Sequence, residues 1–593
     1  MIRGLSQRLL VPFFALAACT AGVACDGLLG VDFDDARGAS ARDAGPDASE
    51  VVEGPRDGGT DGDPPLVPAS KVDLLLVVDN SASMGDKSKM LASSIGTLIR
   101  DVANKVGDLH VGVISSSLGN FGGDVCPASN QRTNDLAHLL TADETGKPLS
   151  TASRGFLNYE DGDVEALIRD TQALVRGVGE TGCGLEAQLE AAYRFLVQPD
   201  PWVAVTLDPS TQQADLGASI DTTILQQRKA FLRPDSALVV VMITDEDDSS
   251  VDPLSINGQG WAFMSKLFPG SKVFRNGTNQ GTTAPRGTSA CETNASSAAC
   301  ISCAFHSPKS DPNCVLSGMV GQSGDGYDGF YGPADDELNV RFHRMKERFG
   351  IDPQFPIRRY VDGFSEAKVP DRAGEHAIQR SGARPVIESY LGKPNCTNPI
   401  FAASLPSSST DELCNLPRGS RSRELVVFAV LGGVPELLVS ENPYWRAIVG
   451  NDPDNFDYAG MDPHMIPSIA PRAGLQAPSA PRGDNGNDPV HGREWDTKKG
   501  DLQFACTFPL ATPRTCTESD SSCDCSPASA LNPPLCGATP GEQVRGKAYP
   551  THRPLRVVKA LGNRGVFGSI CAASGYDATM NALAKRLASR LAY

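Results

Sequence analysis

VDLLLVVDNSASMG, residues 72–85, decides how this chain folds. Val72 to Val78 is an apolar run broken only by Asp73. Runs of this kind belong to strands covered on both faces, as in parallel sheets. The run stops at Asp79-Asn80-Ser81-Ala82-Ser83, a DxSxS pattern. Open α/β sheets bind ligands just beyond the carboxyl ends of their strands. Alternate positions put Asp79, Ser81 and Ser83 on one side of a tight loop, so three oxygens converge there. Hard oxygen donors suit Mg2+, Mn2+ or Ca2+ and not soft metals.

Outward from this stretch, helical and strand periods alternate. Met90 to Val106 carries apolar residues at helical spacing, and Leu109 to Ser115 reads as a second strand. Asp163 to Val175 and Glu186 to Val197 read as helices. Ala237 to Thr244, Leu425 to Leu431 and Val566 to Ile570 read as further strands, and Tyr576 to Leu591 as a closing helix. Alternation of this sort predicts an α/β fold with a doubly wound, mostly parallel sheet. Two long stretches rich in Gly, Ser, Pro and Cys interrupt it, at about 251–422 and 440–550. Loops of that length need fixing. Cys291, Cys300, Cys303, Cys314, Cys396 and Cys414 in the first, and Cys506, Cys516, Cys523, Cys525 and Cys536 in the second, are read as structural disulfides. Cys300 and Cys303 form a CxxC, but no matched second pair supports zinc and no thioredoxin-like setting supports redox chemistry.

With Asp245 closing the strand VVVMITD (239–245) and Thr181 in a loop before a helix, the chain resembles the von Willebrand factor A family and its metal-ion-dependent adhesion site. The resemblance covers about Lys71 to Ser250, Arg423 to Pro435 and Pro554 to Tyr593. It implies a Rossmann-like core in which Ser81, Ser83 and Thr181 bind the metal directly and Asp79 and Asp245 act mostly through water. The open metal position would take a carboxylate from a protein or glycan ligand. The pattern departs from the family in three places. Glu246 stands where the family commonly has Gly, an insert lies around Gly119 to Ser153, and Gly182 and Cys183 occupy the Thr181 loop.

The N-terminus also resembles a known signal. Arg3 and Arg8 precede the apolar run Leu9 to Ala18, which is too short to span a bilayer. Leu16-Ala17-Ala18-Cys19 is similar to a bacterial lipobox, with Cys25 as the alternative lipid site. Residues 1–18 are then a lipoprotein signal peptide, 19–67 a disordered Asp/Gly/Pro-rich tether, and 68–593 the A-type domain with its inserts. Thr20 after Cys19 favours the outer membrane, whereas Asp26 after Cys25 favours the inner one. The expected location is the cell envelope, by lipid anchor alone.

A net charge of −17 over 593 residues argues against a nucleic-acid partner. No HExxH, GxSxG or GxxxxGKS occurs, so no enzyme is expected. Among 8 histidines none forms a convincing ligand pair, and His343 and His376 read as surface or loop residues. Asp325 to Gly329 with Asp335-Asp336-Glu337 reads as a solvated loop before a second Ca2+ site, and Arg482-Gly483-Asp484 as a chance tripeptide. The expected function is metal-dependent ligand binding at the cell envelope. The alternatives are a scaffold whose metal only stabilises, then an enzyme with its site in the inserts.

Overall fold

A computed structural model describes residues 63–592, with gaps of which the longest are 122–133, 265–273, 304–310, 315–330, 482–487 and 526–532. Cys19, Cys25, Arg482-Gly483-Asp484 and Asp325 to Gly329 lie outside the described residues.

The strands used below are β1 (Lys71–Val78), β2 (Asp108–Ser115), β3 (Leu157–Glu160), β4 (Ala237–Ile243), β5 (Val426–Gly432), β6 (Cys506–Thr515), β7 (Glu542–Ala548) and β8 (Gly565–Ser569). Six of them form one sheet in the order β8-β5-β4-β1-β2-β3. Every pairing in it is parallel except β2 with β3. The chain winds outward from β1 to β2 and β3, then returns to β4 and winds the other way. This is a mixed α/β, Rossmann-like architecture, and its switch point lies between β1 and β4.

The pleat of β1 sorts the core into two layers. Val72, Leu74, Leu76 and Val78 face helices α1 (Gly85–Ala103), α2 (Val164–Gly177) and α8 (Asp577–Leu587). Leu75 and Val77 face α3 (Gln188–Leu196), α4 (Thr222–Phe231) and α7 (His552–Leu561). A strand buried on both sides must be apolar at odd and even positions alike, hence the continuous run. Asp163 and Asp221 cap α2 and α4 by accepting two backbone N–H bonds each. Such a cap contributes about 1 kcal/mol.

The inserts are structural layers of the domain. Every residue of α3 is buried, including Glu190 and Arg194, because the first insert covers it. Arg359, on α6 (Ile357–Gly363) beyond α5 (Arg341–Phe349), is fully buried. Its guanidinium donates to both Glu190 carboxylate oxygens at 3.1 and 3.0 Å and also bonds Glu375. It lies 3.9 Å over the Tyr193 ring. The second insert supplies the β6–β7 hairpin, whose Cys506 and Phe508 join the α1 side of the core.

Six disulfides are described: 291–300, 303–314, 396–414, 506–571, 516–523 and 525–536. Cys183 is disulfide-bonded too. Cys300 and Cys303 take different partners, so the CxxC is not a redox pair.

Three local expectations are corrected. Asp336 belongs to no solvated loop: it is fully buried, accepting from Arg341 at 3.1 Å, Arg348 at 2.9 Å and the Ala284 amide at 2.8 Å. His376 is buried and pairs with Asp252 at 3.2 Å. His343 is largely covered, its ring 5.7 Å from that of Phe456. Among the described residues, no helix is long and apolar enough to cross a membrane.

Candidate functional site

Asp79 follows β1 directly, and its amide donates to the Ile243 carbonyl at 3.0 Å, which locks the ends of β1 and β4 together. Its carboxylate is fully buried. One oxygen accepts from the Ser81 amide at 2.8 Å and the other from the Thr244 hydroxyl at 2.7 Å. Asp245, also fully buried, accepts from the Ser83 hydroxyl at 2.6 Å. Asp79, Ser81, Ser83 and Asp245 thus meet at the switch point.

The loop before α3 closes one side. The Gly182 amide donates to the Asn80 carbonyl at 2.7 Å, and the Cys183 amide to the Ser117 hydroxyl at 3.0 Å. A Cβ at Gly182 would stand 2.2 Å from the Asn80 side-chain oxygen, so only glycine permits this approach. Thr181 is exposed on the same loop, whereas Glu186 further along is buried. The structure therefore buries Glu186 beside the other acids and leaves Thr181 exposed.

Two residues that sequence reasoning passed over change the electrostatics. The Lys87 ammonium, buried on the first turn of α1, lies 2.6 Å from Asp245 and 2.8 Å from the Ser83 carbonyl. It is roofed by the Phe508 ring of the β6–β7 hairpin at 5.7 Å. Glu186 lies beside Glu246. Burial and the neighbouring charges of Glu246 and Asp79 push the Glu186 carboxyl well up. Glu246, which keeps some exposure, is raised to about 8 by burial and by the charges of Asp245 and Asp79. Asp79 is raised to about 6 by burial and by Asp245. Burial likewise raises Asp247 to about 6 and Asp248 to about 7.

Against the four carboxyl groups of Asp79, Asp245, Glu186 and Glu246 stand the Lys87 ammonium on Asp245 and, acting on Glu246, that of Lys547. The Ser81 hydroxyl, one oxygen of Asp245 and one of Glu186 are buried without a hydrogen-bond partner. Orphaned buried oxygens beside under-neutralised carboxylates are the donor set a hard divalent cation requires. A cleft holding about 130 Å3 of free space opens next to them. Glu246, Asp248, Phe342, Lys346, Tyr458 and Arg553 are among its lining residues.

No protein-family model matches the chain, and neither does any curated protein. Among solved structures it is similar to the pilus adhesin RrgA of Streptococcus pneumoniae, at 14% identity over 66% of this chain. The match spans 42% of that adhesin, and the TM-score of 0.17 is too low to bear on fold or function.

Proposed function

We propose that this chain is an A-type binding domain that holds Mg2+, Mn2+ or Ca2+ at the switch point and captures a carboxylate-bearing protein or glycan ligand through it. The observation that carries this reading is the cluster of Asp79, Asp245, Glu186 and Glu246, short of positive charge and rich in unpartnered oxygens. Asp79, Ser81, Ser83 and Asp245 would hold the ion, with Glu186 in the place first assigned to Thr181. When bound, the ion supplies a Lewis-acidic centre for an outside anion. Asp79 orients the Ser81 amide and Thr244 hydroxyl, while Ser117 and Asn80 fix the loop that shuts out water on one side.

The thirteen described cysteines, all oxidised, support an exported location in an oxidising compartment. With the lipobox-like Cys19, or Cys25, this favours a lipid-anchored envelope protein. A second reading has its own observation. Lys87 already neutralises Asp245, which suits a scaffold whose site works without metal.

Calorimetric titration of Mg2+, Mn2+ and Ca2+ into the purified chain separates the two. Saturable binding that is lost in the Asp79→Ala, Ser81→Ala double variant supports capture through metal. Identical heats from both proteins would sink it and leave the scaffold.

A further inference from the structure

The second insert carries another cluster, remote in sequence from the DxSxS loop. His464 sits in a single helical turn, Pro463–Met465. Asp488 and His491 sit in a tight loop closed by two backbone bonds between Asp488 and Gly492, at 3.1 and 2.9 Å. One oxygen of Asp488 lies 2.9 Å from Nε2 of His464, and the other 3.2 Å from Nδ1 of His491. The three ligand atoms fall within 4.8 Å of one another. The two rings stand nearly perpendicular, 85° apart, with centroids at 4.8 Å.

The far nitrogens are equally ordered. Nδ1 of His464 meets Asp462 at 2.7 Å. Nε2 of His491 meets Glu494, whose carboxylate is gripped by Arg472 through two guanidinium bonds, at 2.8 and 3.0 Å. Metal-binding histidines characteristically place a carboxylate on the nitrogen turned away from the metal, which fixes the tautomer and leaves the other nitrogen's lone pair free. Both rings place a carboxylate on that nitrogen, and Nε2 of His464 also hydrogen-bonds Asp488 at 2.9 Å, a bond the metal would replace. His491 is fully buried, and its Nδ1 makes no hydrogen bond despite its closeness to Asp488.

The geometry points to a second metal centre, for a zinc-class divalent ion, held by Nε2 of His464, Nδ1 of His491 and the Asp488 carboxylate. Two imidazoles and one carboxylate are a borderline donor set, suited to Zn2+ and unlike the all-oxygen set at the switch point. Three protein ligands leave one tetrahedral position for water or an outside ligand. The centre also has a structural task. Between Ile466 and Ala505 the described residues form neither helix nor strand beyond the Asp488–Gly492 bridge. A metal tying residue 464 to residues 488 and 491 cross-links this stretch, and its binding energy becomes folding energy. The other cluster of this kind, Asp371 with Cys396 and Cys414, is excluded because its cysteines are bonded to each other.

The test uses the untagged full chain, stripped with chelator and titrated with Zn2+ by calorimetry, and with Co2+ by visible absorption. One equivalent of Zn2+ is expected, with the visible bands of tetrahedral Co2+. Asp488→Asn, which keeps the shape, and His491→Gln should each weaken binding at least ~100-fold. Glu494→Gln should weaken it about 10-fold, as loss of an orienting partner does. The Asp79→Ala, Ser81→Ala double variant should bind Zn2+ as the parent does, which separates this centre from the switch-point site. No saturable Zn2+ uptake by the parent, or equal uptake by Asp488→Asn, overturns the proposal.

Discussion

Strand β1 carries a buried aspartate near each end, and the two are treated in opposite ways. Asp73, at the amino end, accepts from the Arg233 guanidinium at 2.8 Å, the Arg233 amide at 2.8 Å and the Ser236 hydroxyl, with Arg421 at 3.7 Å. Arg421, fully buried, also bonds the Ser236 and Ile400 carbonyls. Asp79, at the carboxyl end, receives one amide and two hydroxyls, from Thr244 and, at 3.4 Å, Ser116, but no cation, and faces other acids. Charge is saturated where the fold is anchored and left unbalanced where a ligand would enter. Satisfied buried charge holds structure, whereas buried charge short of a partner stores affinity.

The largest effect should come from breaking the saturated end. Asp73→Asn removes the anion from the buried Arg421 and leaves Arg233 with Asp108 alone, and loss of one member of a buried pair costs about 3–5 kcal/mol. Denaturant unfolding should show that loss, with divalent binding unchanged. A full-strength fold in this variant would end the contrast. Lys87→Met removes the only ammonium that pairs with Asp245 among the described residues. Metal-free stability should fall, while divalent affinity should rise about tenfold, or ~1.4 kcal/mol, by calorimetry. Unchanged affinity would mean that the lysine and the ion never compete.

The smallest effect is a pH slope. Asp79, Asp248 and Glu246 are raised to about 6, 7 and 8, whereas unfolded carboxyls ionise near pH ~4. The folded chain therefore holds protons that the unfolded chain has released. The stability they contribute is fully present below about pH 4 and is lost as pH rises through about 6 to 8. Melting of the metal-free protein should drop by a few degrees across that window. Millimolar Mg2+ should restore it and Asp79→Asn should make it shallower, Glu246 and Asp248 carrying the rest. Asp73→Asn should leave the slope alone.

The sheet was legible because β1, β4 and β5 must be apolar on both faces, a pattern that survives in one sequence. The edge strand β3 was not, since Leu157–Glu160 buries only one of its four side chains. Helix α7 was missed because it opens with His-Arg-Pro, and proline reads as a breaker although the first turn tolerates it. At the site, Asp79 and Asp245 were found by their position at strand ends. Thr181 was chosen for its hydroxyl, and Glu186 was read as an ordinary residue of the following helix. His464 and His491 escaped notice because 24 residues separate His464 from Asp488, and no local spacing betrays a pair that only tertiary folding brings together.

The way the chain enters the domain has a mechanical consequence. Asp63 accepts from the Ser422 hydroxyl and the Arg423 amide, and Ala69 bonds Arg590 and Ala592. From there the chain runs directly into β1, hydrogen-bonded to β2 on one side and β4 on the other. A pull on the preceding segment loads those two ladders lengthwise, so their bonds must fail together and not one at a time. The domain is thus gripped at one of its two central strands, and a load applied at Asp63 reaches the DxSxS loop along a single rigid rod.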